Sequence, residues 1–75
     1  MIFKIEITDK IEIISKYNFD KELDVVVYNS NNIELYRTKF KFIKNVIFWI
    51  SLNNLDNIVI NILDEDNEIL YSYNN

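Results

Sequence analysis

The sequence predicts an all-β fold: a compact antiparallel β-sandwich of about six to seven short strands, with a small β-barrel as the alternative. Three observations carry that reading. Apolar and polar residues alternate with period two through most of the chain, the signature of half-buried strands. The hydrophobes are mainly Ile, Val, Phe and Tyr, which suit a pleated surface, while Ala, the best helix former, is absent. Clusters of Asn and Asp punctuate the alternating runs at short intervals, as turns do.

The elements follow in order. Residues 2–7 alternate Phe3, Ile5 and Ile7 with Lys4 and Glu6, and read as the first strand. After the Thr8-Asp9 turn, Ile11, Ile13 and Ile14 begin a second. Residues 15–22 are polar around Tyr17 and Phe19, and read as a loop or one helical turn. Residues 23–29 are strand-like, with Leu23, Val25 and Val27 on one face. Val26 and Tyr28 are apolar on the other face, which predicts a central strand covered on both sides.

Asn29-Ser30-Asn31-Asn32 reads as a turn, because Asn tolerates the left-handed conformation where no Gly is available. Residues 33–39 return as the partner strand. The apolar phase then flips, from Ile33 and Leu35 to Tyr36, Phe40 and Phe42, which predicts a bulge or a change of sheet. Val46, Phe48, Ile50 and Leu52 form an in-phase strand, with Ile47 and Trp49 on its second face. A helix over residues 40–52 competes, since Phe40, Ile43, Ile47 and Ile50 share a helical stripe. Ile58, Ile60 and Ile62 make the next strand, Asp64-Glu65-Asp66-Asn67 a turn, and Ile69, Tyr71 and Tyr73 the last strand. Residues 28–36 align with residues 63–71, and Val25 and Val27 then fall on Ile60 and Ile62; two similar hairpins are expected.

With 75 residues, the chain has room for one domain, spanning 1–75. Such a chain buries only about 60% of its unfolded surface, so its core is marginal. No Cys and no His are present, which removes disulfides and the usual zinc ligands as staples. An efficient core, self-association or docking on a partner must supply the remaining stability. The absence of Gly, Ala and Pro beside abundant Ile, Asn, Lys and Tyr points to a very AT-rich genome, such as that of a firmicute, a mollicute or a phage of one; small acidic chains encoded by mobile elements offer an analogy in size and charge. No signal peptide and no apolar run of membrane-spanning length occur, so the expected location is cytoplasmic (the host cytosol if phage-encoded).

Enzymatic function is not expected. The common nucleophile and general-base residues Cys and His are missing, and without Gly there is no phosphate-cradling loop or nucleophile elbow. A chain of this size leaves little volume for a pocket of ~300 Å³ or more. No cofactor is implied. Asp64, Asp66 and Glu68 alternate around a turn in the manner of calcium ligands, but the span is short and the loop Gly is missing, so a solvated turn is the expectation.

Charge is segregated. Residues 1–36 carry four Lys against seven acids, residues 37–44 carry four bases and no acid, and residues 45–75 carry five acids and no base, for a total of −4. Arg37, Lys39 and Lys41 lie in phase, with Lys44 just beyond. Trp49, Tyr71 and Tyr73 lead the amphipathic aromatics, although Trp is well buried on average and Trp49 is expected to fill the second face of a central strand. Together these features read first as a small acidic protein-interaction module. It would be either a homo-oligomer or an adaptor or inhibitor of a larger protein, with Arg37, Lys39, Lys41, Lys44, Trp49, Tyr71 and Tyr73 as interaction candidates. A carbohydrate-binding or accessory β-sandwich using Trp49 and tyrosines is the second reading. Single-stranded nucleic-acid binding through Arg37, Lys39 and Lys41 is the third, disfavoured by net acidity and by aromatics on the opposite face from the cations.

Overall fold

The computed structural model describes all of residues 1–75. Seven strands form: β1 (Phe3–Ile7), β2 (Ile11–Ser15), β3 (Leu23–Tyr28), β4 (Glu34–Phe40), β5 (Ile47–Ile50), β6 (Val59–Leu63) and β7 (Ile69–Asn74). They make two antiparallel sheets, one of three strands in the order β1-β2-β5 and one of four in the order β4-β3-β6-β7. The sheets pack face to face as a sandwich and do not close into a barrel. No helix forms over residues 40–52, where β-branched and aromatic residues favour the pleat.

Alternation decides what is buried. Phe3, Ile5, Ile11, Ile13 and Ile50 from the first sheet meet Leu23, Val25, Val27, Ile60 and Ile62 from the second, and with Phe42 and Ile58 they form one core. β3 is central, as its doubly apolar sequence predicts. Val26 is wholly buried although it faces away from the other sheet, flanked in register by Arg37 and Asn61.

All five Phe residues gather where the two sheets meet. Phe42 lies in the β4–β5 crossover and is fully buried, with Phe3 at 5.1 Å, Phe40 at 4.9 Å and Phe48 at 5.8 Å between ring centroids. Phe19, from the β2–β3 crossover, stacks on Phe3 at 5.5 Å. Backbone bonds tie the two crossovers together: Phe19 N–H donates to the Phe42 carbonyl at 3.0 Å, and Asn45 N–H to the Ser15 carbonyl at 3.0 Å. Phe40 on Phe48 (4.3 Å) sets β4 over β5, and Phe3 against Tyr71 (5.9 Å) sets β1 over β7.

The two aligned segments are equivalent in detail. In each hairpin one residue is unpaired in the register, Leu35 between the Val27↔Tyr36 and Tyr28↔Glu34 pairs, Leu70 between Ile62↔Tyr71 and Leu63↔Ile69. The Leu35 bulge causes the phase flip read from the sequence in the first hairpin; its counterpart at Leu70 is not read there. Each turn is held by the first residue's side chain: Asn29 Oδ1 accepts the N–H groups of Asn31 and Ile33, and Asp64 Oδ1 those of Asp66 and Glu68. Each turn also places an Asn in the left-handed region, Asn32 and Asn67, both at φ 61°. Between the hairpins, β3 and β6 pair antiparallel with Val26 opposite Asn61, Val25 opposite Ile62 and Val27 opposite Ile60. The sequence alignment maps Val26 onto Asn61 and exchanges the other two pairs. The four-stranded sheet therefore has a local pseudo-two-fold axis through the Val26–Asn61 pair.

Three expectations need correction. Trp49 is 56% exposed, because β5 is an edge strand whose second face has no layer above it. Val46 does not join the strand; a turn with Asn45 at φ 67° and a Val46 N–H to Ile43 carbonyl bond turns it outward. Ile69 is out of phase with Tyr71 and Tyr73, since the Leu70 bulge sends it to the opposite face.

Phe42→Ala should cost about 3–5 kcal/mol, the range for deleting a fully buried aromatic ring, as a lowered urea midpoint at unchanged slope. Asn29→Ala and Asp64→Ala should each cost about 1 kcal/mol in the same measurement and match one another, because each removes the same two turn bonds.

Candidate interaction surface

The basic residues of the sequence do not form a free cationic stripe. Arg37 and Lys39 stand on the outer face of β4, opposite Val26 and Asp24 in the register. Asp24, only 13% exposed at its side chain, holds both: Arg37 Nη1 at 2.6 Å and Lys39 Nζ at 3.3 Å. Arg37 Nε also reaches Glu34 at 3.2 Å. The hydrogen bond to Glu34 is the main cause raising the Arg37 pKa, with Asp24 adding to it, so the guanidinium is committed within its own sheet. Lys41 and Lys44 follow β4 in the crossover, exposed and in no ion pair. The Lys44 N–H donates to Asn18 Oδ1 at 2.8 Å, which fixes its backbone against the β2–β3 crossover.

The aromatic candidates are also separated. Tyr71 and Tyr73 are half-buried on β7 and pack against the core. Trp49 projects from the other sheet, outward, with Lys10 Nζ 4.2 Å from its ring centroid. This cation–π contact spans the β1–β2 turn and β5. Trp49 and these tyrosines therefore share no platform.

The exposed large hydrophobics are concentrated in one stretch of the chain. Ten large hydrophobic side chains are exposed, and seven of them lie between Ile33 and Trp49. That stretch is β4, the crossover and β5, which run along one lateral side of the sandwich. Both strands end their sheets, so this side also presents unpaired backbone N–H and C=O groups. Ile47 and Trp49, neighbours of half-buried Ile14 and of Glu12 across the ladder, form its most apolar part, flanked by exposed Ile43 and Val46. Sequence reasoning names Trp49 but assigns Ile47 no role. The missed signal is the absence of any charge between Lys44 and Asp56.

A groove of 330 Å³ opens between the β2–β3 crossover and the β6–β7 turn, lined by Phe19, Asp20, Lys21, Leu23, Asp64, Glu65 and Leu70. A concavity of this volume is larger than chain length suggests; it is an open cleft between a crossover and a turn, not a cavity within the core. Lys21 spans it to Glu65 at 2.8 Å, and that hydrogen bond, then the carboxylate's charge, raises the lysine pKa. Asp64 is occupied in holding its turn, and no group of three or more acidic side chains is placed to hold a metal ion.

No protein-family model matches the chain, and no curated protein or solved structure is significantly similar to it. No helix is long and apolar enough to cross a membrane.

The Lys21–Glu65 pair sets a pH dependence. A lysine whose pKa is raised by folding stabilises the folded state below its unfolded value near 10.5, and that contribution disappears as pH rises through the higher folded value. Lys21→Met should therefore lower the urea midpoint slightly at pH 8, and the gap from the unaltered chain should close as pH rises beyond 10.5 and through the raised folded-state value. Both side chains are exposed, so the gap is small and shrinks in high salt.

Proposed function

We propose that the chain is a small protein-interaction module whose contact surface is the β4–β5 side of the sandwich. The observation that carries this reading is the concentration of exposed large hydrophobics between Ile33 and Trp49, beside two unpaired strand edges. Contiguous apolar patches on small domains mark places where another molecule binds. Trp49 has the properties of an anchor: a large flat ring, presented outward and held by Lys10. The partner is either a second copy or a larger protein to which this chain acts as adaptor or inhibitor.

A small β-rich chain without disulfides or a zinc site gains stability from such a contact by mass action, because the partner binds only the folded form. The pairing of Arg37 and Lys39 with Asp24 weakens the nucleic-acid reading, since phosphate would have to displace carboxylates already in place. The separation of Trp49 from Tyr71 and Tyr73 weakens the carbohydrate reading in the same way.

Trp49→Ala should leave the unfolding free energy from urea titration within about 0.5 kcal/mol of the unaltered chain, as exposed substitutions do. It should weaken association, measured both as self-association by sedimentation and as capture of a partner from host extract, by about tenfold or more. Association that is indifferent to Trp49, Ile47 and Ile43 would sink the proposal.

A further inference from the structure

We infer that two copies of the chain pair through β5, antiparallel and about a two-fold axis, joining their three-stranded sheets into one of six strands. This inference rests on the interaction reading above and names its partner.

Four strands end the sheets, and three carry features that resist edge-to-edge pairing. β1 bears the Lys4–Glu6 ion pair at 3.1 Å on its outer face. β4 bears Arg37 and Lys39, and bulges at Leu35. β7 bulges at Leu70 and shows polar Ser72 and Asn74 outward. Charges and bulges are the devices by which edges avoid adding strands. β5 has neither: it reads Ile47-Phe48-Trp49-Ile50, pairs with β2 in unbroken register, and carries no charge of its own, the nearest charges along the chain being Lys44 and Asp56; across the ladder, Glu12 and Lys10 flank Trp49 on the side of β2, away from the free edge.

The strand is also complementary to itself. Phe48 and Ile50 face the core, while Ile47 and Trp49 face outward. Paired residues of a ladder lie on the same face, so a two-fold must centre on a residue, Phe48 or Trp49, and not between two. Centred on Phe48, it sets Ile47 opposite Trp49 of the partner subunit, and Trp49 opposite Ile47 of the partner subunit. These are aromatic–β-branched pairs, which are favourable cross-strand neighbours.

Charge selects the same arrangement. Each copy carries −4, so contact is least opposed along a strand that bears no charge of its own. Antiparallel pairing runs the basic flank before β5, with the unpaired Lys41 and Lys44, toward the partner's flank after β5, where Asp56 is the sole charge before Asp64. A stable interface takes ~800 Å² from each partner, more than a four-residue edge supplies, so Ile43 and Val46 beside β5 belong to it.

The test is sedimentation equilibrium of the full chain from micromolar to millimolar, with amide hydrogen exchange on the same samples. The expected result is a species of twice the 9.1 kDa chain mass, with β5 amides slowing as concentration rises while β4 and β7 amides do not. Ile47→Lys and Trp49→Lys, both at exposed positions, should weaken the dimer at least a hundredfold with unchanged circular dichroism. If either variant fails to fold, exchange in the unaltered chain decides. A monomer at all concentrations, a dimer that survives both folded variants, or protection at β4 or β7 in place of β5 would overturn the inference. A monomer that captures a foreign protein through Trp49 would overturn it too, while leaving the interaction reading intact.

Discussion

The packing of Phe42 between the sheets is the contact on which the rest of the structure depends. Its ring comes from a crossover, not from a strand, yet it is fully buried against Phe3, Phe40 and Phe48. Those three rings belong to β1, β4 and β5, so one side chain links the two sheets through three strands. Phe19 closes the group from the other crossover, and the backbone bond between Phe19 and Phe42 fixes the two loops in relation to each other. Chains of this length commonly use disulfides or metal sites to restrain such loops. Here aromatic packing restrains them, and it accounts for the placement of every Phe in the sequence.

The four-stranded sheet shows how far one local solution can be reused. Two hairpins share a turn, a bulge and a left-handed Asn, and they meet about an axis through Val26 and Asn61. What differs is the outer face. Asp24, Arg37 and Lys39 form an ionic group on the first hairpin, while the equivalent positions of the second hold Val59, Ser72 and Asn74. The fold is repeated and the surface is not, so the two edges of this sheet have different chemistry. In a chain without glycine, all four left-handed residues are Asn, namely Asn32, Asn45, Asn57 and Asn67. Asn is the ordinary side chain that bears this conformation at low cost.

Much of this is legible in the sequence, because alternation and turn chemistry are local. The run Val25-Val26-Val27 announces a strand buried on both faces, and the phase change after Leu35 announces the bulge. The aligned segments announce the repeated hairpin. What escapes is decided between distant segments. Nothing local distinguishes the second face of β5, which is bare, from that of β3, which is shielded by neighbours on both sides; the difference is position in the sheet order. Trp49 is exposed for that reason. Likewise, Asp24 lies thirteen positions from Arg37 in sequence and reaches it only across the hairpin, so the stripe of cations looks free until the strands are paired. The Leu70 bulge is visible only by comparison with its counterpart at Leu35, which explains why Ile69 reads as an inward residue.

The connectivity of β5 has a kinetic meaning as well. Every other strand has a hairpin partner next to it in sequence, and those ladders close short loops. β5 is held by a single ladder of four residue pairs to β2, across the whole of the first repeated hairpin. Closing that distance is entropically the slower event, which places β5 among the late arrivals in folding. The same topology lets it depart first: its detachment leaves all three hairpins paired and uncovers Ile11 and Ile13 along β2. The strand with the shortest ladder thus also carries exposed Ile47 and Trp49, and anything that grips β5 opposes its detachment from the sandwich.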